Sequence, residues 1–286
     1  MTVTESLVTM RRDLSNGCAI EFEEAPVGSP TQAGTPRLRA HRAYFYLDGE
    51  QRVRVPSVTT LLDSICPKPG IPPWAESKGI QGAVRAFQLG EITTATPPLE
   101  AVERVRGLRL GADAARDEAA ERGLDMHSFL EHWMRTGEAP KVADYPPEQH
   151  GYVQAGARWL MAANPDPIQV EELVCDPAAG YAGRSDLVAM VKSYRTRVDF
   201  KTSAKAGIYG SSHVQTGLYE RAAIACGDDP TDRQIVVVLG EEGTYRSMLS
   251  LATPAVVEAA LAFYRAVKPI DSACESANRA EKKARQ

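Results

Sequence analysis

Four short motifs in this sequence contain residue types that bind metal ions and phosphate groups. In chain order they are Gly123-x-x-x-His127, Gly183-x-x-Asp186, Asp199-Phe200-Lys201 and Gln215-x-x-x-Tyr219. Two carboxylates, together with a peptide carbonyl such as that of Phe200, provide the hard oxygen ligands that Mg²⁺ and Mn²⁺ prefer. The ammonium group of Lys201 can orient a metal-bound water or help to deprotonate it. The chemistry that this set favours is metal-assisted hydrolysis.

The two aspartates fall on predicted neighbouring strands. Apolar patterning predicts three successive strands, over residues 168–175, 181–191 and 196–201. Asp186 is near the start of the second strand and Asp199 is towards the end of the third, so antiparallel pairing can bring both carboxylates together. Because side chains alternate along a strand, Asp199 and Lys201 share one face while Phe200 points into the core.

Two further motifs are predicted on helices. A helix over residues 211–226 places Gln215 and Tyr219 on one face, because they are four residues apart. His127 lies beside the apolar face of a helix predicted within residues 99–137. Structural alternatives remain open, since Gln and Tyr at this spacing are commonly boundary residues and a single helical histidine is commonly structural.

The other elements follow from hydrophobic periodicity and turn residues. Asp48-Gly49 predicts a hairpin over residues 37–55, with Tyr44, Tyr46, Val53 and Val55 on its buried face. Helices are predicted from Ser57 to Ile65 and over residues 74–89, 99–137 and 254–267, and strands over 234–239 and 244–251. These elements predict an α/β fold with a central mixed β-sheet flanked by helices, and an N-terminal half that is mostly helical after its hairpin.

Composition indicates a globular protein. The chain has 286 residues, 43% of them hydrophobic and 24% charged, which favours one large domain. A net charge of −4 gives no global reason to expect nucleic-acid binding. Residues 184–205, however, contain six basic residues against two aspartates, which favours an anionic substrate at this place. The alternative is that Lys192, Arg195 and Arg197 only solvate a hairpin turn.

Several protein classes are excluded by the sequence. The longest apolar run, residues 235–239, is far shorter than the ~20 residues of a membrane-spanning helix. Residues 1–17 contain charged side chains and no apolar signal region, so we expect an intracellular, cytoplasmic protein with no membrane partner. The five cysteines are an odd number without a Cys-x-x-Cys pair, which fits neither a zinc ribbon nor a disulfide framework.

In this order, the four motifs resemble those of the PD-(D/E)XK nuclease superfamily, whose RecB-type branch is the most similar. The segment Pro56-Ser57-Val58-Thr59-Thr60-Leu61-Leu62, with Trp74-Ala75 further on, is similar to the opening of phage-encoded RecB-like exonucleases. The resemblance covers roughly residues 55–226. Ser185 replaces the proline of the superfamily's name, as is frequent in this branch.

The resemblance implies a role for each motif residue. It implies a restriction-endonuclease-like core in which Asp186, Asp199 and the Phe200 carbonyl ligate the metal, His127 adds a ligand and Lys201 is the catalytic lysine. Glu171 resembles an acidic position that precedes Gly-x-x-Asp in this branch, although Glu172 is an equally placed competitor. Supporting or DNA-binding roles are implied for Arg184, Gln215 and Tyr219.

The implied function is that of a Mg²⁺- or Mn²⁺-dependent deoxyribonuclease, an exonuclease in preference to an endonuclease. The resemblance also implies a role in DNA recombination, replication or repair inside a bacterial host cell and a phage-type origin, with a single-strand annealing or recombination protein as a candidate partner. No iron–sulfur cluster is expected, because Cys66, Cys226 and Cys274 lack clustered spacing.

We expect a single nuclease domain over residues 1–286. It is divided into an N-terminal segment with the hairpin (1–55), a helical region (56–165), the nuclease core (166–267) and a C-terminal tail (268–286). The oligomeric state stays open. Two other functions also remain: a non-catalytic nucleic-acid-binding protein on the same fold, and a metal-dependent hydrolase of small phosphorylated substrates.

Overall fold

The computed structural model of the chain describes residues 8–25, 41–66, 68, 70–204 and 207–284. Within these residues the chain forms a four-stranded sheet, a five-stranded sheet and seven α-helices. The fold is therefore a mixed α/β fold, as the sequence predicts. No helix in the described part of the chain has both the length and the apolar character needed to cross a membrane.

The first sheet is antiparallel throughout, in the order β1-β2-β3-β4. Its strands are β1 (Val8–Asp13), β2 (Ala19–Ala25), β3 (His41–Asp48) and β4 (Gln51–Val55). In the hairpin β3–β4, Tyr44 pairs with Val55 and Tyr46 with Val53, so these four residues share one face, as predicted. Val53 is half exposed rather than buried. Hairpin residues 37–40 lie outside the described residues, and strands β1 and β2 were not predicted.

Helices follow the first sheet. They are α1 (Val58–Ile65), α2 (Ile71–Gln88), α3 (Pro98–Gly107), α4 (Ala112–Thr136) and α5 (His150–Ala163), with 3₁₀ turns at Val142–Asp144 and Pro147–Gln149. The single helix predicted over residues 99–137 is wrong, because the chain turns between α3 and α4. There Arg109 has a φ of 55°, which an α-helix does not accommodate.

The second sheet is mixed and has the order β5-β6-β7-β8-β9. Its strands are β5 (Asp166–Asp176), β6 (Tyr181–Val191), β7 (Tyr194–Thr202), β8 (Arg233–Leu239) and β9 (Tyr245–Leu249). Only the neighbours β7 and β8 are parallel among these pairs of described strands. Helix α6 (Gly210–Ala225) forms the crossover that a parallel pair requires. The strands and α6 lie within a few residues of their predicted positions.

The second sheet separates two hydrophobic cores. On one side, α4 and α5 pack against it, and the Trp159 ring meets the Phe200 ring edge-on with centroids 5.0 Å apart. On the other side, α1, α6, α7 and the first sheet contribute residues such as Phe22, Leu61 and Leu218 to one cluster. Burial on both faces explains the nearly continuous apolar run of β8.

The last helix, α7, runs from Pro254 to Ala284 and contains Pro269. The sequence predicts a helix that ends at residue 267, so the predicted end of this helix is wrong. The tail is polar, but its Ala, Glu, Lys and Arg residues have high helix propensity, which outweighs the missing N–H of one proline. Residues 268–281 are exposed, and residues 285–286 lie outside the described part.

Candidate active site

The candidate site lies where strands β6 and β7 separate. Their antiparallel pairing ends at Leu187 and Val198, and beyond it β6 pairs with β5 while β7 pairs with β8. Asp186 is the next residue of β6, and its Oδ2 accepts a hydrogen bond of 2.7 Å from the Phe200 N–H. Asp186 therefore lies in the middle of its strand, not near the start as predicted. The opening between the strands makes room for polar side chains.

The aspartate and lysine of Asp199-Phe200-Lys201 form an ion pair in this opening. Lys201 Nζ lies 2.6 Å from Asp199 Oδ2, and it also donates a 3.3 Å hydrogen bond to the Phe200 carbonyl oxygen. Phe200 is buried in the opposite core against Trp159. Strand alternation thus divides the motif as predicted, with the charged pair on one face and the aromatic ring on the other. Asp199 is 1% exposed, so its charge is almost fully removed from water.

A second group of ligand atoms comes from three different elements. His127 Nδ1 of α4 lies 3.0 Å from Glu171 Oε1 of β5 and 3.7 Å from Asp186 Oδ1 of β6. Strand register explains the approach of the two carboxylates, since the flanking pairs of β5 and β6 place Glu171 opposite Asp186. The structure thus brings His127 to the aspartate.

The structure distinguishes between the two candidate glutamates. Glu171 is 4% exposed and enters the site, whereas Glu172 lies 3.3 Å from the Arg12 guanidinium on another surface. Glu171 has a φ of 53°, the left-handed region that costs a non-glycine residue about 1–2 kcal/mol. Backbone strain of this kind is concentrated at functional sites. Arg184 holds the strained residue in place, with its Nε 2.7 Å from Glu171 Oε2 and its guanidinium over the Phe22 ring.

Burial and mutual attraction shift the protonation of these groups. Burial raises the pKa of Asp199 to about 6, although the Lys201 ammonium opposes this shift. Burial likewise raises the pKa of Asp186. For His127, burial favours the neutral ring, but Asp186 and Glu171 outweigh it and raise the pKa to about 8. Burial by itself would lower the pKa of Lys201, but the negative charges of Asp199 and Asp186 outweigh it and raise the pKa above the ordinary value. Lys201 is therefore a cation at neutral pH.

The predicted pair on α6 faces the same opening. Gln215 Nε2 donates a hydrogen bond of 3.0 Å to the Tyr219 hydroxyl, and both residues line the cleft beside Asp186. The Tyr219 ring packs against Gly183, where a Cβ atom would lie 2.6 Å from its Cε1. Only glycine allows this contact, which gives a physical reason for the glycine of Gly183-x-x-Asp186.

The site opens into a cleft with a volume of about 440 Å³. Its lining includes residues that the motifs did not identify: Arg42 and Tyr44 of β3, Thr59 and Asp63 of α1, and Ser211 and Ser212 of α6. The hairpin pattern predicted a buried face containing Tyr44, but no motif connected that face with residues far later in the chain. For Ser211 and Ser212, the available signal was that they lie just before Gln215 on the same predicted helix.

The basic residues of 184–205 have different environments. Lys192 is exposed between β6 and β7, as the turn-solvation alternative predicts. Arg197 is instead 1% exposed, and its Nε lies 2.8 Å from Glu220 Oε2, so that alternative is wrong for this residue. Lys205 lies outside the described residues. The local excess of positive charge therefore does not all face the cleft.

The residues around the carboxylates fit a divalent cation. Ligand atoms of His127, Glu171 and Asp186 lie within 4.8 Å of one another. In addition, Asp199 Oδ1 is buried without a hydrogen-bond partner among the residues that the structure describes. A buried carboxylate oxygen without a partner is unfavourable, and a cation would satisfy it. Carboxylate oxygens suit both Mg²⁺ and Mn²⁺.

Comparisons with known proteins include a weak structural similarity. No protein-family model matches the sequence, and no curated protein sequence matches it. Among solved structures, the chain is similar to the crystal structure of an alkaline exonuclease from Laribacter hongkongensis. The match has 14% sequence identity and a TM-score of 0.30, and covers 74% of this chain and 99% of that chain. Similarity at this level does not establish a shared family or activity.

Replacing His127 with alanine should weaken Mn²⁺ binding about 10- to 100-fold, because an imidazole nitrogen next to two carboxylates is lost. Calorimetric titration of Mn²⁺ measures the change. His132→Ala is the matched control, since His132 is exposed on the same helix. Equal affinities of the two variants would show that His127 does not contribute to the metal site.

Replacing Tyr219 with phenylalanine should lower cleavage about three- to tenfold without unfolding the protein. The ring keeps its contact with Gly183, and only the hydroxyl that accepts the Gln215 hydrogen bond is lost. A nuclease assay combined with thermal melting measures both effects. Unchanged cleavage by Tyr219→Phe and by Gln215→Ala would assign the pair a boundary role only.

Proposed function

We propose that this chain is a divalent-metal-dependent deoxyribonuclease that hydrolyses phosphodiester bonds. The observation that carries the proposal is the convergence of Asp186, Asp199 and Lys201 where β6 and β7 separate, beside His127 and Glu171. Burying several carboxylates in one cleft is unfavourable unless their charge is balanced by a cation. A metal-assisted reaction on an anionic substrate explains why the protein keeps them buried in one cleft.

Four side chains would hold the cation: His127, Glu171, Asp186 and Asp199. When bound, a divalent cation lowers the pKa of a water ligand and neutralises charge on the scissile phosphate. Arg184 keeps Glu171 in its strained position through their 2.7 Å contact. These protein groups supply the fixed negative charge that makes the cleft a cation site.

Lys201 would stabilise the negative charge that develops during hydrolysis. Asp199 and Asp186 raise the pKa of Lys201 above its ordinary value, which favours the protonated ammonium. The 2.6 Å contact with Asp199 fixes its position beside the carboxylates. A preorganised charge of this kind needs no rearrangement when the transition state forms.

DNA as the substrate, and exonuclease action, are supported by the ordered resemblance of the four motifs to RecB-type nucleases. Gln215 and Tyr219 present neutral hydrogen-bonding groups along the cleft, which suits contacts to a sugar–phosphate backbone. A role in recombination, replication or repair belongs to the same proposal, as does a phage-type origin.

The test is digestion of linear duplex DNA and of closed circular plasmid, with Mg²⁺, with Mn²⁺ and with EDTA. We expect cleavage of the linear DNA with either metal and none with EDTA, and an uncut plasmid if the enzyme requires an end. Asp199→Asn, purified in parallel, controls for contaminating nuclease. Equal cleavage with and without chelator would contradict the metal dependence.

The same assay distinguishes the remaining functions. Binding of DNA without cleavage under every metal condition would indicate a non-catalytic binding protein. Hydrolysis of a small phosphate ester such as p-nitrophenyl phosphate, with DNA left intact, would indicate a small-molecule hydrolase. Either result would replace the proposed function.

A further inference from the structure

Helix α6 lines the cleft with one polar face. Ser211, Ser212, Gln215 and Tyr219 all contribute to the lining, and their spacing places them along one side of the helix. All four carry neutral hydrogen-bonding groups. Tyr219 packs against Gly183 of β6, whereas Ser212 lies seven residues earlier, about 10 Å away along the helix axis. The face therefore extends beyond the carboxylate site.

Ser212 is buried without a partner at the far end of this face. The residue is 7% exposed, lines the cleft and makes no side-chain hydrogen bond to any residue that the structure describes. Thr216, one turn later, is 0% exposed and donates a 2.7 Å hydrogen bond to the His213 carbonyl oxygen. The Ser212 hydroxyl therefore borders the cleft with its hydrogen-bonding capacity unused by the described residues, which leaves it free to bind a ligand.

The helix start provides a second donor in the same place. The Ser211 N–H has no acceptor within the described ranges of the chain, whereas the Ser212 N–H bonds to the Tyr209 carbonyl oxygen at 3.0 Å. No side chain caps α6, and its first turn contains no acidic residue. Free N–H groups and the positive end of the helix dipole favour an anion, of which phosphate is a common example.

We propose that the first turn of α6 binds a second phosphate group of the nucleic-acid strand, through the Ser212 hydroxyl and the Ser211 N–H. This inference rests on the proposed function, because it assumes that the strand's scissile phosphate lies at Asp186 and Lys201. Two phosphates held at separate places fix both the register and the direction of the strand in the cleft. The first turn of α6 is thus a positioning site, and Ser212 is a positioning residue.

The test is a scan with methylphosphonate substitutions, each of which removes the charge of one phosphate in an otherwise normal oligonucleotide. With the wild-type protein, a methylphosphonate at one particular position, separate from the cleaved bond, should lower kcat/KM about tenfold. This is the ratio expected for the loss of a hydrogen bond to a charged group. For Ser212→Ala, kcat/KM on normal DNA should fall by a similar factor, and methylphosphonate at that position should cause no further loss.

Exposed Ser247 of β9 supplies the matched control. Ser247→Ala should keep the wild-type rate and the wild-type methylphosphonate profile. Both variants should melt at the wild-type temperature, because neither hydroxyl bonds to a described residue. A methylphosphonate penalty that persists in Ser212→Ala would overturn the proposal, as would a wild-type scan without a sensitive position away from the cleaved bond.

Binding measurements separate failure of this inference from failure of the nuclease proposal. Fluorescence anisotropy with the same oligonucleotides needs no cleavage. If the wild-type protein binds DNA without cutting it, and Ser212→Ala abolishes the methylphosphonate effect on Kd, the phosphate site stands and the nuclease proposal fails. If the wild-type protein neither binds nor cleaves DNA, both proposals are overturned.

Discussion

Replacing Lys201 with methionine should lower the cleavage rate by a factor of about 10² to 10³ while Mn²⁺ binding persists. The factor is typical of the loss of one preorganised charge that stabilises a transition state. A protonated ammonium cannot ligate a cation, so its removal takes away no metal ligand. Because Lys201 lies 2.6 Å from Asp199 Oδ2, its loss also removes a competing positive charge from that carboxylate. Mn²⁺ affinity should therefore be unchanged or slightly higher.

Asp199→Asn is the companion variant, since it keeps the size of the side chain and removes its charge. We expect it to lose both Mn²⁺ binding and cleavage. Calorimetric titration of Mn²⁺ and a nuclease assay on the two variants separate the roles. If Lys201→Met lost metal binding as completely as Asp199→Asn, or cleaved DNA at the wild-type rate, the assignment of Lys201 as the catalytic cation would be wrong.

Replacing Glu220 with glutamine should lower the free energy of unfolding by about 3–5 kcal/mol, the typical cost of leaving a buried charge without its partner. Arg197 is 1% exposed, and its Nε lies 2.8 Å from Glu220 Oε2. Glu220 also accepts hydrogen bonds from the Thr231 N–H and hydroxyl, and Arg197 donates to the Ser185 hydroxyl. The cluster therefore connects β6, β7 and α6 next to residues of the site.

A double-variant cycle tests this interpretation of the buried pair. Arg197→Met combined with Glu220→Gln removes the unpaired charge, so the double variant should be more stable than Glu220→Gln alone by about 2 kcal/mol. Urea denaturation measures each variant. Glu258→Gln is the control, because Glu258 also pairs with an arginine, Arg221, but is mostly exposed. Strictly additive effects of the two substitutions would show that the pair does not interact energetically.

Local patterns predicted the main elements of the second sheet. Strands β5, β6 and β7 and helix α6 lie within a few residues of their predicted bounds. Hydrophobic periodicity and turn residues are local signals, and they predict these elements correctly because tertiary packing favours the same local conformation. Prediction failed where a boundary depended on more than periodicity, as at Arg109, whose φ of 55° separates α3 from α4. It also failed for α7, whose polar end is helical.

The candidate site residues and their order could be predicted from the sequence. Alternation alone placed Asp199 and Lys201 on one strand face and Phe200 in the core, because neighbouring side chains of a strand point in opposite directions. The structure agrees, with the Lys201–Asp199 ion pair on one side and the Phe200–Trp159 contact on the other. The resemblance also led to His127 and Glu171.

Only the tertiary structure decided which groups meet. Glu171 and Glu172 are adjacent and chemically identical, and a backbone φ of 53° together with the register of β5 against β6 turns only Glu171 towards His127. The sequence likewise could not show that Arg197 is buried, nor that Arg42 lines the cleft. The physical reason is that such contacts depend on how strands and helices distant in sequence pack together, whereas motif spacing describes only neighbours along one chain.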